Sequence, residues 1–201
     1  TWTIAATDYS GLAVVVPTLA RLRRSAPLSR LAILESTPRR VARQAENGEI
    51  DLGLQTMEWI APTLHAVKLF DDRYVLTARR DHPTLRRKPT LAAFCALEHV
   101  MVSPDGGGFS GATDTALAAV GRRRNVVLSL PHFIGAMSAL AASDLVAMLP
   151  QRLVEGRADL RTFEAPLAVP GFELGLFWHD RAHRDPAHRW LREQVLAAVA
   201  R

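Results

Sequence analysis

Leu31 to Gln55 reads LAILESTPRRVARQAENGEIDLGLQ, and the punctuation of this stretch decides the fold. Leu31, Ala32, Ile33 and Leu34 make an apolar run with the length and residue type of a buried strand. Ser36 or Thr37 then caps a helix, because Pro38 suits the first helical position, where its missing N–H costs nothing. Val41, Ala42 and Ala45 share one side of that helix, while Arg39, Arg40, Arg43 and Glu46 lie elsewhere. Asn47-Gly48 supplies the stop, since glycine enters the left-handed conformation cheaply. Ile50 to Gln55 reads as a second buried strand. Strand, short helix and strand together predict a parallel, right-handed crossover. In an open parallel sheet, ligands gather at the carboxyl ends of strands, near helix N-termini. Glu35, Ser36 and Thr37 lie at such an end.

Working back toward the N-terminus, Trp2 to Thr7 is a strand, Asp8-Tyr9-Ser10-Gly11 a polar turn and Leu12 to Ser25 a helix. Pro17 must lie near the start of that helix or kink it. Leu12, Val15, Val16, Leu19 and Leu22 follow the spacing of a buried stripe, and Val14 and Ala20 widen it toward a second side. A deeply buried helix and a subunit interface both fit this pattern. In the other direction, Leu64 to Ala78 reads as one or two strands broken near Asp71-Asp72, and Thr90 caps a short helix. A second set then repeats the first in outline. His99 to Ser103 is a strand, Pro104 to Gly111 a glycine-rich turn, Ala112 to Val120 a helix and Asn125 to Leu130 a strand. His132 to Ala142 is helical, Leu145 to Leu149 extended, and a short helix starts at Pro150. Leu160 to Glu164 and Phe172 to His179 are further strands, and Asp185-Pro186 opens a final helix. Alternating strands and helices predict an α/β fold with mainly parallel sheets. The two comparable sets predict two lobes, residues 1–75 with 172–201 and residues 76–171, in a hinge-and-cleft design.

A chain of 201 residues, 48% of them apolar, can bury a core of its own. It contains no run of about 18 uncharged apolar residues, so no spanning helix and no membrane partner is expected. The opening TWTIAATDYSG lacks the pattern of a signal peptide, and Cys95 is the single cysteine, which excludes an internal disulfide. Both point to a cytoplasmic location. The net charge of +5 permits contact with nucleic acid. The arginines are nevertheless scattered over 21–24, 39–43, 86–88, 122–124 and 181–192 with no interleaved aromatic residues, so they read as solvated helix faces.

Gly106, Gly108 and Gly111 spell GxGxxG between a strand and a helix, which invites a dinucleotide. That reading requires an acidic residue at the end of the next strand, and Asn125 to Leu130 ends instead in Pro131, so no cofactor is expected. What remains is a seat for an acceptor or an anion, made of Ser103, the backbone around Gly108 and the amides of a helix start. Gly108-Phe109-Ser110-Gly111-Ala112 misses the last glycine of a nucleophile elbow, and Ser110 reads as a helix cap. His179, His183 and His188 cluster without metal-ligand spacing, so no metal site is expected. Thr7, Asp8 and Tyr9 on the first strand-to-helix turn face the same end of the sheet as Thr37. Asp8 as a helix cap and Tyr9 as packing are the plainer readings. With Ser103, Pro131 and Phe133 these residues make a plausible small aromatic site rather than a catalytic acid–base pair.

Four segments in order resemble the effector-binding domain of LysR-type transcriptional regulators: PTLARLRRSAP, NGEIDLGL, DRYVLTARRDHP and ASDLVAMLP. The tail FWHDRAHRDPAHRWLREQV is similar to the subgroup that includes NodD-like and NahR-like proteins. The resemblance spans essentially the whole chain. It implies a two-lobe fold of the type 2 periplasmic-binding-protein kind, with two crossover strands near Tyr74–Ala78 and Phe172–Phe177. It also implies a small, aromatic inducer between the lobes, lined by Thr7 and Asp8, by Thr37, by Ser103, and by Pro131 and Phe133; Tyr9 and Gly108 are candidates by their place in the same turns. A homodimer or homotetramer is implied too, with DNA bound only through a winged helix-turn-helix that this sequence does not contain. A free-standing solute-binding protein and an enzyme on the same scaffold are the rival readings.

Overall fold

In the computed structural model, residues 1–35, 37–104 and 106–200 are described, with Pro38 and Arg39 described by their backbone alone. Ser36, one of the two expected helix caps, lies outside the described residues. The chain divides into two compact units, Thr1–Asp71 with Phe172–Arg201, and Asp72–Gly171. Each is built on a five-stranded sheet.

The first unit runs β1 (Trp2–Ala6), α1 (Asp8–Ser10), a π-helical turn (Gly11–Val15), α2 (Val16–Ser25), β2 (Leu31–Glu35), α3 (Pro38–Asn47), β3 (Leu52–Thr56) and β4 (His65–Asp72). Its sheet has the order β2-β1-β3-β10-β4, where β10 (Phe172–Trp178) is the returning strand. β1 is parallel to both β2 and β3, and β10 is antiparallel to β3. The quoted stretch therefore forms the expected parallel crossover. Gly48 ends α3 at φ 79°, and Val41 and Ala45 bury against Ala5, Ile50, Leu64 and Phe177. The packing behind β3 is close. A Cβ built on Gly53 would stand 1.9 Å from the Phe177 ring.

Two expectations for this unit are corrected. The apolar run of β2 is not a buried strand: it sits at the sheet edge, and Ile33 and Leu34 are 46% and 37% exposed. The supposed polar turn at Asp8 is already helical, and Thr7, not Asp8, caps it by accepting from the Ser10 amide at 3.3 Å. The helix then widens for one turn, where the Val16 amide reaches the Gly11 carbonyl five residues back. Pro17 follows directly. Its ring cannot sit against the carbonyl four residues earlier, and a wider turn relieves that conflict. The extra residue also rotates the apolar stripe. Val14, Val15, Thr18 and Leu22 are buried, whereas Leu12, Val16 and Leu19 of the expected stripe are exposed.

The second unit runs β5 (Tyr74–Arg79), α4 (Leu91–Ala96), β6 (Glu98–Val102), α5 (Ala112–Ala119), β7 (Asn125–Leu130), α6 (Phe133–Ala141), β8 (Val146–Pro150), α7 (Gln151–Val154) and β9 (Leu160–Phe163). Its sheet order is β7-β6-β8-β5-β9, with β6 parallel to β7 and β8, and β5 antiparallel to β8 and β9. Leu76, Ala78, Leu85, Phe94, Leu117, Val146 and Phe163 form its core. Thr90 caps α4 as expected, accepting from the Ala93 amide. Ser110 does not cap α5; Gly111 holds that position, and its amide donates to the Asp114 carboxylate at 2.9 Å. Asp114 in turn takes a bidentate pair from Arg124, at 2.9 and 2.8 Å. The final helix α8 (Pro186–Val199) belongs to the first unit and opens on Asp185, whose carboxylate accepts from the His188 amide.

Candidate functional site

The parallel register within each unit fixes which residues share a sheet edge. In the first unit Ala6 pairs with Glu35, and Ala5 with Gly53. The carboxyl ends of β1, β2 and β3 thus lie together, and Thr7, Asp8 and Thr37 follow directly from β1 and β2. Antiparallel β10 brings its first residue to the same edge, since Leu174 pairs with Thr56. There the Tyr9 ring meets the Phe172 ring edge-on, with centroids 5.6 Å apart. Tyr9 is buried, so its ring is part of the wall's support. Thr7 is half-buried, and its hydroxyl lies 3.2 Å from the Ser10 hydroxyl. Thr37 occupies the N-cap position of α3 in extended conformation but makes no side-chain cap bond. Thr37 therefore does not supply a hydroxyl cap, and its half-buried hydroxyl is not committed to the helix.

In the second unit Val102 pairs with Leu130, and Val100 with Ala147. The carboxyl ends of β6, β7 and β8 are again neighbours, and Tyr74 opposite Pro150 adds the start of β5. Ser103 extends the β6 edge by donating its amide to the Leu130 carbonyl at 2.8 Å. Its hydroxyl accepts from the Gly108 amide at 3.3 Å, and the Ser129 hydroxyl donates to the Gly108 carbonyl at 2.5 Å. A Cβ on Gly108 would come within 2.8 Å of the Ser103 hydroxyl, which explains a glycine there. The turn is tied back onto the edge by two serine hydroxyls. Ser129 and Phe172 were not among the sequence candidates. An inward serine on a strand and an aromatic residue after Pro170-Gly171 carry no motif, and only strand pairing shows their place.

Pro131 and Phe133 both reach this second edge: Pro131 is exposed in the turn after β7, and half-buried Phe133 is the first residue of α6. Thr7, Asp8, Tyr9 and Thr37 are thus brought together within the first unit, and Ser103, Gly108, Pro131 and Phe133 within the second. Each set gathers hydroxyls and helix-start amides at the carboxyl ends of its parallel strands.

The clustered histidines do something else. His183 accepts from the Trp178 indole N–H at 3.2 Å, His65 stacks on the His183 ring at 3.9 Å, and Arg192 lies over Trp178 at 4.4 Å. Burial pushes His183 below the ordinary histidine value, and neighbouring His65 adds to this. His188 is also pushed down by burial, against the pull of its bond to the Asp51 carbonyl, with Arg192 beside it. Among the described residues no group of three or more His, Cys, Asp or Glu side chains is placed to hold a metal ion. Among the same residues no helix is long and apolar enough to cross a membrane.

Residues 1–200 match the family described as LysR substrate binding domain. Among known proteins the chain is 32% identical to the HTH-type transcriptional activator NagR of Ralstonia sp. over 96% of its own length and 65% of that protein's. It is 33% identical to the HTH-type transcriptional regulator SyrM of Rhizobium etli over 98% of its length, and 59% of SyrM's. The chain thus spans less than two thirds of these curated relatives. Among solved structures, the probable transcriptional regulator PA0477 from Pseudomonas aeruginosa superimposes with a TM-score of 0.85 at 34% identity, covering 99% of this chain and 66% of that one. The regulatory domain of MexT, a transcriptional activator in Pseudomonas aeruginosa, superimposes at 0.82 with 27% identity, covering 98% and 97%.

Proposed function

Because the chain belongs to the LysR substrate-binding domain family, we propose that it senses a small aromatic inducer for a cytoplasmic transcriptional regulator. The whole regulator binds DNA through a segment that this chain does not span. The observation that carries the reading is the pair of sheet edges. Each unit ends its parallel strands in half-buried hydroxyls, Thr7 and Thr37 in one and Ser103 in the other, beside aromatic or proline surface. Such groups bind and orient a guest, and the reading is of a sensor rather than an enzyme. Thr7, Asp8 and Thr37 of the first edge and Ser103, Gly108, Pro131 and Phe133 of the second line the inducer, while Tyr9 braces the first edge through Phe172. Inducer binding favours one arrangement of the regulator over another, and a shift of that kind changes how paired subunits hold DNA.

A thermal-shift screen of aromatic acids and phenols against this chain tests the proposal. A binder at about 100 times its dissociation constant adds roughly 2.7 kcal/mol of stability. Thr37→Val and Ser103→Ala each lose most of that gain. An unchanged gain in both variants overturns the assignment of the site.

A further inference from the structure

A cavity of 220 Å³ opens on the first unit, well away from its sheet edge, lined by Arg21, Arg24 and Ser25 of α2 and by Gln194 of α8. All four lining residues carry polar side chains and none is a carboxylate. Arg21 is half-buried, and its Nε atom is fully enclosed with no hydrogen-bond acceptor among the described residues. Neither Arg21 nor Arg24 forms an ion pair among those residues, whereas Lys68, Arg73, Arg79, Arg124 and Arg157 each do.

We propose that this cavity binds a tetrahedral oxyanion, a phosphate or sulfate group. The two Nη–H groups at the end of a guanidinium match two oxygens of such a group. Arg24 brings the second positive charge. The Gln194 amide supplies donors from another direction, a spread that suits the oxygens of a tetrahedral group better than a flat carboxylate. The Ser25 hydroxyl spends its proton on the Arg21 carbonyl at 3.2 Å and lines the cavity without donating into it. The group is carried on a free ion or on a small phosphorylated metabolite, and both offer the same oxygens.

The test titrates the protein with inorganic phosphate, with sulfate and with glycerol phosphate at constant ionic strength, reading the melting temperature, with chloride as the reference. A saturable rise with phosphate or sulfate is expected, and the glycerol phosphate arm shows whether an esterified group is taken as well as a free one. Arg21→Met weakens the apparent phosphate affinity at least about tenfold, the loss expected when a charge-assisted pair is removed. Arg123→Met, in the second unit, leaves it unchanged. Gln194→Glu provides a second variant: a carboxylate placed in the cavity raises the melting temperature without phosphate and abolishes the response to it. A rise that does not saturate, or one that persists in Arg21→Met and Gln194→Glu, overturns the proposal. So does a response to short duplex DNA without one to inorganic phosphate, which would assign the arginines to a nucleic-acid backbone.

Discussion

Gly53 shows how one residue can be indispensable without looking so. It lies mid-strand with nothing in its neighbours to mark it, yet the Phe177 ring occupies the space where its side chain would be. Gly53→Ala forces either the ring or the backbone of β3 to move in a closed core. The expected loss is about 3 kcal/mol, measured by chemical denaturation of the variant beside the parent. Gly48 is the contrasting case. Its left-handed φ of 79° follows from local chain geometry at the end of a helix, so Asn47-Gly48 announces it in the sequence. Gly53 answers to a strand from the far end of the chain, and no local pattern encodes that. The site residues divide in the same way. Thr37 and Ser103 are legible as positions at strand ends, whereas the tie from Ser129 to the Gly108 carbonyl depends on β7 lying beside β6.

At the scale of elements, the α3 crossover and the order of the helices follow from capping residues, prolines and apolar runs. Which face of a helix is covered does not. The stripe Leu12, Val16 and Leu19 is ambiguous in sequence, because the π-helical turn before Pro17 shifts the register by one residue and turns these side chains outward. Val16 is 56% exposed and Leu19 40%, and exposed apolar side chains grouped along one helix mark an interaction surface. Ile134 on α6 is similarly exposed, at 49%. We propose that the α2 face joins subunits. Val16→Glu with Leu19→Glu is expected to shift the protein toward monomer in sedimentation, with little effect on its melting temperature, since neither side chain is in the core. Retention of the parent's mass by the double variant would remove α2 from the interface.

At the scale of the whole molecule, both units are built to fail in acid. Burial pushes His99 down to about 4 from 6.5, with Arg124 adding to the shift and the bond to the Phe94 carbonyl opposing it. Its Nδ1 is enclosed with no partner among the described residues, so a proton there has nothing to bond. In the first unit His183 and His188 are shifted in the same direction, each with its Nδ1 already facing a donor, the Trp178 indole and the Arg192 guanidinium. A folded-state value below the unfolded one means that the unfolded chain binds the proton first. Stability is therefore flat above about pH 6.5 and declines as the pH falls toward 4. For His99 alone the gap corresponds to about 3 kcal/mol, at roughly 1.4 kcal/mol per unit. The carboxylates add a later loss. Burial raises Asp114, but its pair with Arg124 outweighs this and holds it below the ordinary value, so that pair is surrendered only at lower pH. Melting temperatures recorded from about pH 7 to about pH 5.5 follow the histidines, because ordinary carboxylates take up their protons mainly below that window. His99→Leu is expected to melt lower at neutral pH, having orphaned the Phe94 carbonyl, yet to lose less on acidification than the parent. Equal losses in the two proteins would mean that His99 is not what the second unit gives up first.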